Sequence, residues 1–236
     1  NDVTLSETSI NGTITANNIT LEATEIIENS ELKINEAATS GKITLNGNVI
    51  STGSKTLTLN GNVDAFCSSI NLNQGTLESK GTFTAQNDLE INAVSIFGKT
   101  VDAKENLTIN GTSTFNQTVE VGKNLVITGE SVFKDAVKAG ENLKITGNAA
   151  FESTEKSVEV GNDFTINGKA NFANTVTTGN NLTITGDSNF SQNVVVGNIA
   201  TLQGNVEFWG TFSIIQDTGY LLLNGTGNQD VKLNAN

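Results

Sequence analysis

The chain has 236 residues, 36% of them apolar and 6% aromatic, which is enough for one large or two small packed domains and too regularly patterned for a disordered tail. Thirteen basic against twenty-five acidic side chains give a net charge of −12, which argues against a nucleic-acid backbone or an anionic lipid surface as partner, and no apolar run is long enough to span a membrane as a helix. Histidine is absent, which removes the commonest general base and metal ligand and with it the Ser/His/Asp, Cys/His and zinc arrangements.

The chain opens on "NDVTLSE" with neither methionine nor a leader, so it is expected to be a segment of a longer product. Over residues 1–85, short strings keep apolar residues at i and i+2: "ITL" at 19–21, "LKI" at 32–34, "ITL" at 43–45, "LTL" at 57–59 and "INL" at 70–72. That alternation predicts strands with one buried face, and their uneven spacing predicts coils joined by loops of variable length. Irregular loops are where a scaffold departs from pure support, so any contact surface is expected here. The single cysteine, Cys67, excludes an internal disulfide and is read as a small buried residue.

From Leu89 the register is regular, and residues 86–208 are predicted to form uniform coils. Leu107, Leu125, Leu143, Phe164 and Leu182 share one column, at intervals of 18, 18, 21 and 18, each followed two positions later by isoleucine. A second column holds Phe97, Phe115, Phe133, Phe151, Phe172, Phe190 and Phe208; a third pairs Val119 with Val121, Val137 with Ala139, Val158 with Val160, Val176 with Thr178 and Val194 with Val196. One insertion, in "ESTEKS", accounts for the longer interval.

Glycine columns, Gly111 to Gly204 after the first segment and Gly122 to Gly197 after the third, mark corners, where glycine's tolerance of positive φ is expected to serve. Three short strands and three corners in each repeat of about 18 residues predict an all-β, single-stranded parallel β-helix, expected to be right-handed, with an internal phenylalanine stack. Asn106, Asn124, Asn142 and Asn181, with Asp163 among them, are predicted to form a corner ladder of stacked amides. An antiparallel meander or sandwich is the rival, but hairpins do not require a fixed period.

Catalytic residues are sought among the outward positions. The residues between the paired valines, Glu120, Lys138, Glu159, Thr177 and Val195, alternate in sign and then turn neutral, as a solvated face with weak cross-coil pairing would. Stacked threonines such as Thr183 and Thr185 suggest an ice-binding array, which Val126 and Lys144 interrupt. Asn-x-Ser/Thr strings begin at Asn11, Asn18, Asn106, Asn110, Asn116, Asn181, Asn189 and Asn224, a frequency that composition alone produces. No P-loop, dinucleotide fingerprint or calcium-binding nonapeptide is present. No catalytic or metal-binding residue and no cofactor is therefore predicted, and ligand-binding residues stay unassigned. Residues 209–236 carry Trp209 and Tyr220, each the sole one of its kind, read as cover for a terminal coil or as aromatic ligand contacts.

The strings "NLTING", "NLVITG", "NLKITG", "FTINGK" and "NLTITG" resemble the shafts of large bacterial surface adhesins of the filamentous-haemagglutinin-like or autotransporter-passenger type. The resemblance covers residues 89–208 best and carries no catalytic residue. It implies a rod-like, non-enzymatic segment, secreted or at the bacterial cell surface, displaying loops to a host-cell receptor, a glycan or neighbouring bacteria. A self-polymerising scaffold of the bactofilin-like kind is the alternative, and a polysaccharide-cleaving β-helix enzyme, working through paired carboxylates, a minor one.

Overall fold

The computed structural model describes residues 56–214 continuously, together with the strands Asp2–Leu5, Ile14–Thr15, Asn18–Leu21, Glu25–Glu28, Leu32–Asn35, Lys42–Leu45, Asn48–Ser51, Tyr220–Asn224 and Val231–Leu233. Every element among the described residues is a β-strand, and every strand pairing is parallel. The chain is an all-β parallel solenoid, divided into two compact units, Asn1–Val121 and Gly122–Asn236.

In the first unit, one ladder of strands records the coil lengths. Val3 faces Ile19, a step of 16 along the chain; Ile19 faces Ile43, a step of 24; Ile43 faces Val63 and Val63 faces Phe83, steps of 20. Phe83 then faces Val101 and Val101 faces Val119, steps of 18. Coils of variable length thus lead into regular ones while the strands stay in register, because the ladder hydrogen bonds fix strand register and leave the connections free to differ. All five predicted strings fall in strands, but Ser69–Ser79 and Leu89–Phe97 are each longer than one short segment. Leu89–Phe97 pairs with Leu107–Ile109 through its first half and with Ser113–Phe115 through its second, so the corner is straightened in that coil.

In the second unit each regular coil presents three short strands with burial alternating in, out, in. The inward positions are filled by the predicted columns. Phe133, Phe151, Phe172, Phe190 and Phe208 stack with ring centroids 4.7–5.0 Å apart and planes within 9° of parallel. That separation is the spacing between neighbouring strands, so identical residues on successive coils must meet face to face. Phe164, standing where other coils have leucine, meets Phe151 and Phe172 edge-on at 5.9 Å. Phe97 and Phe115 form the same stack in the first unit, at 5.1 Å.

The asparagine ladder is present and directional. Asn142 donates its backbone N–H and its Nδ2 to Oδ1 of Asn124, and Asn181 does the same to Oδ1 of Asp163. Asp163 has no side-chain amide to give, and only its backbone N–H reaches Oδ1 of Asn142. In the first unit Asn106 makes the paired donation to Asp88.

The glycine columns have a different cause from the expected one. Gly204 alone among the described glycines has positive φ, at 86°. At Gly161, Gly179 and Gly197 the constraint is the coil beneath: a Cβ there would lie 1.9–2.0 Å from the carbonyl oxygen of the preceding corner's glycine. Real Cβ atoms do not approach that closely, so a corner of this column stacks only with hydrogen in place of a side chain.

Candidate functional site

The second unit carries a groove of about 610 Å³ along the outer side of the serine/alanine-x-phenylalanine strands. Side chains from five successive coils line it, because strand alternation sends the middle residue of each strand outward and the parallel register stacks those residues. Val132 faces Ala150, Ala150 faces Asn171, Asn171 faces Asn189 and Asn189 faces Glu207. Small residues at the first two positions keep the floor low.

One wall is the corner preceding these strands, occupied by Glu130, Asn148, Lys169, Asp187 and Asn205. It is tied along its length. Asn148 donates Nδ2 to Glu130 at 3.1 Å and accepts the Lys169 backbone N–H at 2.9 Å; Lys169 Nζ meets Asp187 Oδ2 at 3.1 Å, and Asp187 Oδ1 accepts the Asn205 N–H at 3.0 Å. That N–H, then the Lys169 ammonium, hold the Asp187 carboxyl below the usual carboxylate range. Both partners of the ion pair are well exposed, so it orients the wall more than it stabilises the fold.

Past the last of these strands stands Trp209. It follows Phe208, its backbone N–H continues the ladder to the Phe190 carbonyl at 2.8 Å, and its side chain is 52% exposed. Tyr220 opens the strand Tyr220–Asn224, and its side chain is outside the described residues. Within the groove lining, the amide oxygen of Asn189 is buried and has no hydrogen-bond partner.

The outward residues weighed from sequence fall on other faces. Lys138 faces Glu159, Glu159 faces Thr177 and Thr177 faces Val195, in the predicted column. The pairing expected between Lys138 and Glu159 is not formed; Glu159 instead accepts the Ser157 hydroxyl at 3.3 Å. Glu120, in the first unit, is exposed. Thr165, Thr183 and Thr201 do stack, whereas Val126 and Lys144 break the column below them. Of the glycosylation-like strings, Asn106, Asn110 and Asn181 have their Nδ2 groups engaged with neighbouring coils, Asn116 is half-buried and Asn189 lies in the groove. The side chains of Asn11, Asn18 and Asn224 are outside the described residues.

Cys67 is buried, 3% exposed, and desolvation pushes its thiol up to about 11. Among the described residues no group of three or more His, Cys, Asp or Glu is placed to hold a metal ion.

Sequence reading missed the groove and the buried serines of its strands. Ser131 and Ser188, two positions before Phe133 and Phe190, are buried in the second unit, as Ser95 and Ser113 are in the first. Their place in the i, i+2 alternation was the available signal.

Fold and groove together define a parallel β-solenoid with a ligand-sized surface cleft. Comparison of the chain with protein-family models, curated proteins and solved structures found no match.

Proposed function

We propose that this chain is a non-catalytic display segment of a bacterial surface adhesin, acting outside the cell on a host-cell receptor, a glycan or a neighbouring bacterium. The observation that supports this reading is the division of labour across the coil: inward positions repeat almost without change, while outward positions on the same strands run from valine and alanine to asparagine and glutamate. A scaffold that fixes side chains in register and varies only what faces solvent is suited to recognition. The groove acid with a displaced pKa, Asp187, is held in its charged form, which suits an ion-pair partner better than a general acid. The variable coils over residues 1–85 provide a second region for contact, as their register steps of 16, 24 and 20 bring connections absent from the regular coils.

The test is capture of cultured epithelial cells and of bacteria by beads carrying the purified chain. Capture above that of albumin-coated beads is expected, with part of it lost when the connections in residues 1–85 are replaced by those of the regular coils. Capture no better than albumin overturns the reading.

A further inference from the structure

We infer that the groove of the second unit, whose lining residue Glu207 is followed on the same coil by the exposed Trp209, is a binding site for an uncharged oligosaccharide of pyranose rings; this deepens the adhesin reading and rests on it.

On that coil, Asn205, Glu207 and Trp209 stand at alternate positions, with Val206 and Phe208 buried between them. Alternation puts all three on the outer face, roughly 6–7 Å from one to the next. An exposed indole thus follows, on one outer face, an amide and a carboxylate that line a channel of about 610 Å³. This combination suits a sugar ring. The C–H face of a pyranose is weakly positive and meets the negative face of an indole, while its hydroxyls, each both donor and acceptor, pair with carboxylates and amides at the ring edge.

Charge and topology narrow the class. Three carboxylates, Glu130, Asp187 and Glu207, line the groove against one ammonium, Lys169, which is already paired with Asp187. Lys232 stands in register with Glu207 on the following coil, and counting it still leaves carboxylates in excess. A polyanionic glycan would meet repulsion in a chain of net charge −12. An added peptide strand finds no edge here, because the strands under the groove are hydrogen-bonded in the parallel ladder on both sides. Side chains alone are left to recognise the ligand, which suits a hydroxyl-rich molecule.

Trp209 is the only tryptophan in the chain, so its fluorescence reports on this site alone. The whole chain is titrated with the hexamers of glucose and of N-acetylglucosamine, with polygalacturonate and a glycine-serine peptide as comparators. At least one neutral hexamer is expected to shift the Trp209 emission and shield it from acrylamide. Calorimetric affinity for that hexamer should fall about tenfold or more in Glu207→Gln and Trp209→Ala, the loss that follows when one good contact is removed. Both positions are on the outer face, and unchanged circular dichroism checks that each variant is folded. No response to either neutral hexamer, or an equal or stronger response to polygalacturonate or the peptide, overturns the inference. Bead capture of cells by the same variants separates the two claims. Capture that persists without any hexamer binding leaves the adhesin reading standing and removes the groove from it; hexamer binding without capture upholds the site and removes the adhesin reading.

Discussion

Asn181 delivers two hydrogen bonds to a single oxygen of Asp163, from its backbone N–H at 3.1 Å and from its side-chain Nδ2 at 3.0 Å. Each link in the ladder points its donors toward the preceding coil, so a position needs an acceptor for the coil above and a donor for the coil below. Asp163 meets the first need fully and the second only through its backbone.

Asp163→Ala removes that acceptor and leaves both Asn181 donors without their partner in a half-buried corner. A loss of about 1–3 kcal/mol is expected in urea unfolding. Asp163→Asn keeps the oxygen, adds the missing donor toward Asn142 and gives up the charge on the acceptor; its stability is expected within about 1 kcal/mol of the parent. Equal losses in both variants would show that the ladder bonds do not hold the corner.

Gly179→Ala would drive a methyl group to 1.9 Å from the Gly161 carbonyl oxygen, forcing two coils apart. Its cost is expected at about 1–3 kcal/mol, as for overpacking elsewhere. Gly98→Ala, whose new carbon would lie 3.2 Å from the nearest backbone atom, serves as the comparison and should cost less. The difference in urea midpoints reads the effect, and midpoints displaced alike would discount the steric account.

The buried Ser131 hydroxyl has no hydrogen-bond partner, and the next coil carries Ala149 at the facing position. Ser131→Ala should therefore raise stability by roughly 1 kcal/mol, because it removes a desolvated polar group without opening a cavity larger than one oxygen. A thermal scan showing a lowered midpoint would mean that the hydroxyl is engaged after all.

Burial raises the Cys67 thiol from its ordinary 9.0 to about 11, so the native state holds its proton more tightly than the unfolded chain does. The sign follows from linkage. The contribution to stability is complete below about pH 9 and is lost as pH climbs through the folded value, with unfolding favoured increasingly across that window. The quantity to measure is the difference in pH dependence between the parent and Cys67→Ala. A steeper loss in the parent is expected. Below that window the thiol should resist alkylation until the chain is unfolded, and rapid labelling of the native protein would show that Cys67 is reached by solvent.

Much of the architecture was legible because a solenoid repeats its core. Inward residues must recur once per coil for Phe172 to meet Phe151 and Phe190, so burial leaves a visible period, as do the corner acceptors represented by Asn142 and Asp163. In the irregular coils the strands were equally recognisable, since the alternation that buries Leu57 with Leu59, or Ile43 with Leu45, does not depend on spacing. The fusion of two segments in Leu89–Phe97 was not read, although Ala93 stands where later coils carry the corner glycine.

By itself the sequence determined the class of fold, the coil period and the identity of the inward columns, for these follow from side-chain alternation along one strand. Tertiary structure alone decided why the glycines stand where they do and which outward residues become neighbours. Gly179 is required by the carbonyl of Gly161 on the coil beneath, a contact that local backbone preference does not reveal. Glu130 and Glu207 line one groove although they are far apart in the chain, because coil stacking converts a long distance in sequence into a few strand spacings. Trp209 likewise takes its meaning from exposure: two residues after Glu207, it stands half in water.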